Sequence, residues 1–598
     1  MSHAPTRWSI KGAVFAASLA VVFAACSGST ASPSASTAAA STAPSTGAAS
    51  GAPAASGGAF TAMSYPTTGD APCGVAPYTG NMKKITAIDA LTVEFQLCSP
   101  DASFLPKVAF SAFGIQDSDY LTAHVPDGSI LKAPNGTGPY IFKEWSKGNR
   151  LVWTANPDYW GDKAKTPTLE LHWSDESAAR LVDLQSGTVD GIDNPGTPDI
   201  KTIQGDSTLK FYPRAGLNTL FLGFNNTQKP FDDVRVRQAI AMGIDRDQIV
   251  KNFYPDGSTV AEYFTPCEID FACTGDKTWT FDPAGAKTLL EQAGFPNGQG
   301  LNVDINFRAA VRGYNPNPPV IATEIAQQLK KNLGVNATPK LIESGAMIDG
   351  FTQGTLKGLS LIGWGADYPD PSNFLDYHFG SGSGKKFGAP FQDIVDALNQ
   401  GLAAADPAAR TAAYGTANTL IKQHVPAVII AHGASGDAFK ADVAGAYASV
   451  FGGEVFARMQ PADRKTLVFE GNAEPLSLFC ADESDGESLR ACEQTNESLY
   501  RYDGAKSVPA LATECKPSTD SKTWTCKLRE GVKFHNGAAL DANDVVASYA
   551  LQWDAKNPLH KGRASLFDYW AGLWGGYLNP APPATPAPAT PKPSASPS

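Results

Sequence analysis

A chain of 598 residues is too long for a single hydrophobic core and long enough for two or three lobes. Its 42% hydrophobic and 18% charged residues are ordinary for a soluble globular protein. A net charge of −11 argues against nucleic acid or an anionic membrane surface as the main partner.

The first 25 residues read as an export signal. Arg7 and Lys11 make a basic start, and Gly12 to Ala25 is an apolar run shorter than the about 20 residues of a membrane span. The run ends Phe23-Ala24-Ala25-Cys26, which resembles a lipoprotein cleavage site with an acylated cysteine. Two acyl chains on Cys26 suffice for stable anchoring. The plainer alternative is a cleaved signal followed by a stray cysteine. Residues 26–60 are almost wholly Ser, Ala, Thr, Pro and Gly, and they predict a flexible tether. The Pro-rich tail, 579–598, is predicted to be disordered or polyproline-like.

Between these ends, strands and helices alternate. Leu91 to Leu97 alternates apolar and polar residues, as a half-buried strand does, and Leu151-Val-Trp153 reads likewise. Asp175 to Ser186 places Ala178, Leu181, Val182 and Leu184 on one helical face and stops at Gly187. Asp233 to Met242 predicts a helix with Val236, Ala239 and Ile240 inward. Asp282-Pro283 opens another, running to about Ala293, with Asp as cap and Pro in first position. Val320 to Leu333 and Pro407 to His424 complete the set. The fold class is α/β.

Of nine cysteines, eight remain once Cys26 is set aside, and eight allow 105 pairings. Cys515 and Cys526 stand symmetrically about Asp520-Ser521, a hairpin turn that would face them across two strands. Cys480/Cys492 and Cys267/Cys273 are close in sequence, which leaves Cys73/Cys98. An oxidising compartment favours disulfides. Zinc is disfavoured, because there is no Cys-x-x-Cys and no histidine at ligand spacing.

Catalytic patterns fail on inspection. Gly380-Ser-Gly-Ser-Gly-Lys-Lys386 lacks the first glycine and the final Ser/Thr of a phosphate loop. His432-Gly-Ala-Ser-Gly436 lacks the closing glycine of a nucleophile elbow. His535 reads as structural. No catalytic residue, metal site or cofactor is expected.

Several segments together resemble the family 5 extracellular solute-binding proteins, the dipeptide- and oligopeptide-binding class that serves ABC importers. Upstream stand Gly136-Thr-Gly-Pro-Tyr140, Asn156-Pro-Asp-Tyr-Trp-Gly161, Leu184-Gln-Ser-Gly-Thr-Val-Asp190, Pro230-Phe-Asp-Asp-Val-Arg-Val-Arg-Gln-Ala239 and Gly363-Trp-Gly-Ala-Asp-Tyr-Pro-Asp-Pro-Ser-Asn-Phe374. The family's opening is found last: Thr466-Leu-Val-Phe-Glu-Gly-Asn-Ala-Glu-Pro475, Ser498-Leu-Tyr-Arg-Tyr-Asp-Gly504 and Leu528-Arg-Glu-Gly-Val-Lys-Phe-His-Asn-Gly537. Each part occurs once, so the order implies a circular permutation. The resemblance implies a two-lobed periplasmic-binding-protein-like fold with an extra domain. Lobe one would hold 155–240 and 440–497, lobe two 245–440, and the extra domain 78–154 and 498–578.

The resemblance also implies a site. Asp367, after Trp364, would pair with a peptide's α-ammonium; the alternative is that it caps the Pro-rich turn. Trp364 would supply an apolar wall. Arg312 would grip a ligand carboxylate, with Arg308 competing for the role. The loop Asp485-Gly486-Glu487 would run its backbone beside the ligand. Tyr314 and Asn218 are further candidates. The implied function is capture of a peptide or other small solute by a lipid-anchored monomer on the extracytoplasmic face, in the periplasm or at the cell surface, for delivery to an ABC permease. The alternatives are a non-peptide solute (a sugar or metal chelate), a secreted hydrolase, or a domain-swapped dimer.

Overall fold

The computed structural model of the protein describes residues 60–404, 406–504 and 506–580. The export signal, Cys26, the linker up to residue 59 and the tail beyond 580 lie outside the described residues. Among the described residues no helix is long and apolar enough to cross a membrane.

Strong local signals set several helices. Asp282 and Asp406 each accept a hydrogen bond from the backbone N–H three residues on, and so cap the helices Pro283–Gln292 and Pro407–His424. The proline that follows each cap occupies the position where a missing N–H costs nothing. Helix Pro318–Leu333 buries Ile321, Ile325, Leu329 and Leu333 as one stripe. Helix Ser177–Ser186 departs from expectation. Val182 is 61% exposed, and Ala178 also faces solvent. Their side is not the buried one, because Arg180 takes the buried face alongside Leu181 and Leu184. Its guanidinium donates to the carbonyls of Ser174, Asp193 and Asn194, which satisfies its buried N–H groups.

Among the described residues the strands form three large sheets and one two-stranded ribbon. The seven-stranded sheet runs in the order Tyr140–Ser146, Arg150–Ala155, Thr168–Trp173, Thr466–Gly471, Gly191–Asp193, Ser435–Lys440, Leu209–Arg214. The six-stranded sheet runs Thr259–Val260, Ala427–His432, Asn218–Gly223, Leu359–Gly365, Asn302–Phe307, Asn336–Leu341. The five-stranded sheet runs Ser64–Tyr65, Met82–Asp89, Thr92–Leu97, Thr523–Leu528, Ala512–Pro517. Its core is aromatic: Phe104 stacks on Trp524 at 4.5 Å, and Phe95 meets Tyr549 edge-on at 5.2 Å.

The C-terminal third is woven into the rest. Strand Thr466–Gly471 lies inside the seven-stranded sheet, parallel to Thr168–Trp173 on one side and Gly191–Asp193 on the other. The Asp190 carboxylate accepts the Val468 N–H at 2.9 Å. Farther on, Gly138 N–H donates to the Thr495 carbonyl at 2.8 Å and Tyr140 N–H to that of Gln494 at 3.2 Å. A Cβ on Gly136 would come 2.1 Å from the Thr495 carbonyl oxygen, so only glycine permits this approach. The Glu497 carboxylate accepts from the hydroxyls of Thr137 (2.8 Å) and Tyr159 (2.7 Å) and from the Trp160 indole N–H (2.8 Å). Two of the upstream segments singled out in the sequence thus find their partners in residues 494–497.

Two expected boundaries move. Strands Tyr140–Ser146 and Arg150–Ala155, assigned by sequence to the extra domain, belong to the seven-stranded sheet, because their antiparallel ladder continues onto Thr168–Trp173. Strand Asn218–Gly223 and helix Val234–Gly243, assigned to lobe one, belong to the six-stranded sheet and its core. The chain passes between these sheets at 215–217 and returns at 433–434. Two short links therefore join the two sheets. The disulfides are Cys73–Cys98, Cys267–Cys273, Cys480–Cys492 and Cys515–Cys526, the last pair directly opposite in the hairpin register.

Candidate functional site

A cavity of about 530 Å³ is lined from all three sheet-bearing parts: by Asp193 and Arg490, by Asn218 and Trp364, and by Phe110 and Tyr569. Strand Leu359–Gly365 delivers Trp364 to its wall. A Cβ at the neighbouring Gly363 would come 2.3 Å from the Tyr314 ring, so glycine is what lets Tyr314 pack on this strand. Trp364 stacks on Tyr377 at 4.0 Å.

Asp367 stands in the turn after that strand. Its Oδ2 accepts from the Asn373 amide at 2.8 Å and its Oδ1 from the Tyr569 hydroxyl at 3.0 Å. The Asn373 side-chain oxygen accepts the Asp367 N–H (2.9 Å) and the Trp364 indole N–H (3.3 Å), so one amide fixes both residues. Burial, opposed only by these neutral hydrogen bonds, pushes the carboxyl up to about 7. The turn is capped by another residue: Asp370 accepts the Ser372 N–H at the start of helix Pro371–Phe379.

The arginines are differently placed from expectation. Arg312 donates to Asp485 Oδ1 at 3.1 Å and lies 3.3 Å from Glu487 Oε1. Arg308 donates to the same Asp485 oxygen at 3.1 Å and to the Tyr314 hydroxyl at 3.0 Å. Neither guanidinium is exposed. Each is spent on a carboxylate from the opposite side of the cleft. Burial raises the Asp485 carboxyl, but Arg312 and Arg308 together outweigh it and hold it below the usual range. Asp485 also caps helix Gly486–Cys492 by accepting the Ser488 N–H. Behind this layer Arg490 meets Asp193 (2.6 Å), Glu454 (2.9 Å) and Glu487 (2.8 Å). Arg214 meets Asp193 (3.1 Å), Asp437 (2.9 Å) and Glu454 (2.9 Å). The result is a continuous buried ionic layer.

Asn218 lines the cavity, but both ends of its amide are committed. It donates to the Gly433 carbonyl at 2.7 Å and accepts the Gly433 N–H at 2.8 Å. It pins the two links together. Gly486 presents backbone to open space, since a Cβ there would meet no atom within 4 Å. The structure therefore brings Asp367, Trp364, Arg312, Tyr314, Asn218, Gly486 and Glu487 to one cavity, with Asp485 in the ionic layer behind them. Sequence reasoning missed Asn373, Tyr569 and Glu493. Asn373 lies in the cleft segment itself and is detectable as a short-range partner of Asp367. Tyr569 and Glu493 carry no local signal.

The patterns set aside in the sequence have structural duties. His432 Nδ1 donates to the Asn218 carbonyl, and His535 Nε2 to that of Gly138. Lys386 is ion-paired with Asp568 at 2.6 Å. Among the described residues no group of three or more His, Cys, Asp or Glu is placed to hold a metal ion.

The chain is 29% identical over 361 residues to a dipeptide-binding protein of Escherichia coli, covering 59% of this chain and 66% of that protein. It is 28% identical over 381 residues to heme-binding protein A of Haemophilus influenzae, covering 63% and 69%. The chain thus spans about two-thirds of the length of the curated relatives it matches. Among solved structures, a dipeptide-binding protein from Pseudoalteromonas sp. SM9913, in complex with Met-Leu, superposes with a TM-score of 0.59 at 26% identity, over 63% of this chain and 76% of that one. A periplasmic binding protein from Helicobacter pylori, in complex with the peptide STSA, gives 0.59 at 26%, over 64% and 74%. The fold is the mixed α/β periplasmic-binding-protein fold of these structures. The sequence profile "Bacterial extracellular solute-binding proteins, family 5 Middle" matches residues 34–386 and 506–572, in that profile's normal order. With well over half of its residues matched, this chain belongs to the family 5 extracellular solute-binding proteins, a family of binding proteins rather than enzymes.

Proposed function

We propose that this protein captures short peptides in the cavity and delivers them to an ABC permease. The observation that carries the reading is Asp367: a half-buried carboxylate, fixed by Asn373 and Tyr569, facing a cavity with no cation acting on it. Such a group costs free energy until a cation arrives, and a peptide's α-ammonium is a cation of the right size. Trp364 and Tyr377 supply an apolar wall, and the backbone at Gly486 offers open main chain for peptide pairing. Closure is by the hinge at 215–217 and 433–434, with ligand contacts to both sides biasing it. The test is mass spectrometry of ligand co-purified with the native protein, followed by calorimetry with that ligand. Recovery of peptides supports the reading. Recovery of a ligand without an amino group overturns it.

A second reading is a non-peptide solute, favoured by the 28% identity to heme-binding protein A. It predicts a ligand indifferent to Asp367.

The same proposal includes a circular permutation, in which the family's opening is Thr466 onward. Its support is the bonding of 468 and 494–497 to segments far upstream, as a single molecule completing itself. On this reading the seven- and six-stranded sheets are the cores of two lobes, and the five-stranded sheet is that of an additional domain. We further propose a monomer, anchored through acylated Cys26 on the extracytoplasmic face. Gel filtration distinguishes it from a swapped dimer.

A further inference from the structure

The segment 562–567, between helices Ala542–Trp553 and Asp568–Trp574, has no part in the peptide reading, yet one distant residue dictates its shape. The Asp482 carboxylate accepts successive backbone N–H groups, from Ala564 (2.8 Å), Ser565 (2.7 Å), Leu566 (2.8 Å) and Phe567 (2.9 Å). A Cβ on Gly562 would come 2.3 Å from the same carboxylate, so glycine lets the chain pass this close. Ser565 and Phe567 take left-handed backbone (φ 54° and 39°), a strain that persists only where the surroundings fix it. Phe567 is fully buried in the aromatic core of the five-stranded sheet and holds the far end.

What this turn presents is Arg563. Its Nε donates to Glu483 at 2.7 Å, and its two terminal nitrogens donate to the two oxygens of Asp349 at 2.9 and 3.1 Å. These partners belong to different parts of the cavity wall. Asp349 stands on helix Ser344–Thr352, which gives Ile348, Phe351 and Thr352 to the lining and packs through Met347 and Phe351 on the six-stranded sheet. Glu483 directly precedes Ser484, Gly486 and Glu487, which line the cavity from the other part. Arg563 joins the two from outside, since it is not itself a lining residue. The pairing is asymmetric. The Glu483 side chain is fully buried, whereas those of Arg563 and Asp349 are 21% and 28% exposed. If the walls part, Arg563 keeps its buried counter-charge and Asp349 returns to water, so no buried charge is stranded. The pairs that Arg308 and Arg312 make with Asp485 are buried on both sides and lack this property.

We propose that Arg563 is a reversible clasp on the cavity. Its bidentate pairing with Asp349 draws helix Ser344–Thr352 against the loop 482–487 when the cleft closes, and lets go when it opens. Arg563 is thus a positioning residue that acts through the walls and does not touch the solute. The inference rests on the hinge closure proposed above and not on the identity of the solute.

The test is small-angle X-ray scattering and thermal melting of the full chain, native and variant, stripped of bound solute. Asp349→Ala and Arg563→Ala should each lower the closed-to-open ratio by about fivefold, the scale of an ion pair at a half-exposed rim, and so raise the radius of gyration. Combining the two should open the cleft no further than either alone, because the same contact is lost each time. Arg563→Lys, which cannot pair bidentately, should fall between native and alanine. Native protein as purified, with its solute in place, is the closed reference. Variants whose radius stays at the native value, while stripping opens the native protein, overturn the clasp and leave closure standing, whatever their melting temperatures. Additive opening in the double variant also overturns it, since the two residues then act separately. If stripping leaves the native radius unchanged and no variant exceeds it, closure and clasp fall together. Asp349→Ala keeps the test decisive even if Arg563→Ala, which strands Glu483, folds poorly.

Discussion

Replacing Asp367 with Asn separates the folding role of this carboxylate from its binding role. Its pKa moves from 3.8 to about 7, chiefly through burial. A carboxyl raised on folding favours the folded state only when protonated. The native protein therefore loses stability as pH climbs from the unfolded pKa through the folded one, between about pH 4 and about pH 7. A shift of about three units corresponds to about 4 kcal/mol at pH 8, and to about 1 kcal/mol near pH 4.5. Asparagine resembles the neutral acid: its oxygen can accept from Asn373, and its NH₂ can donate to the Tyr569 hydroxyl. Ligand-free Asp367→Asn should accordingly be more stable than the native protein by about 4 kcal/mol at pH 8, the two nearly converging at acid pH. Chemical denaturation or calorimetry of both proteins, stripped of ligand, measures the difference across that range. A difference that is flat with pH, or a variant less stable at pH 8, refutes the picture of a desolvated carboxylate awaiting a cation.

Other outcomes follow from the same geometry. Asp367→Asn should weaken binding of a co-purified peptide by about 2–5 kcal/mol, and native affinity should rise with pH through about 7 as Asp367 ionises; isothermal calorimetry checks both, and an unchanged affinity removes Asp367 from the site. Arg312→Ala breaks a buried pairing with Asp485 and Glu487, so the melting temperature should fall; a variant that melts like the native protein would show that this pairing does not hold the two sides of the cleft. Truncation after Asp463 removes strand Thr466–Gly471 and exposes a large apolar face, so no cooperative melt is expected; a monomeric, cooperatively melting fragment refutes the permutation. Cys26→Ser should release the protein from membranes, and native protein found wholly in the culture medium would remove the anchor.

Legibility followed distance along the chain. The Asp282 cap and the stripe of helix Pro318–Leu333 are short-range patterns, and both form. The Cys515/Cys526 pair follows from a hairpin whose turn is visible locally. Val182 misled because a periodicity argument sees apolar residues and not the carbonyls that claim Arg180. The segment around Asp367 stood out through resemblance, yet its partner Tyr569 is 202 residues away. Arg312 illustrates the same gap: a sequence shows a positive charge and not that Asp485 and Glu487 meet it from across the cleft.

The place of strand Thr466–Gly471 has a bearing on timing. Three strands lie on each side of it in the seven-stranded sheet, and all six are synthesised before it. During synthesis those halves face a missing middle, and neither can zip onto the other. Early domains normally fold as they emerge. Here the ladder that unites the halves must wait until residue 471 is available, and the Glu497 anchor for Thr137, Tyr159 and Trp160 comes later still. The seven-stranded sheet thus closes after the six-stranded one, because every strand of the latter, from Asn218–Gly223 to Ala427–His432, is available before it.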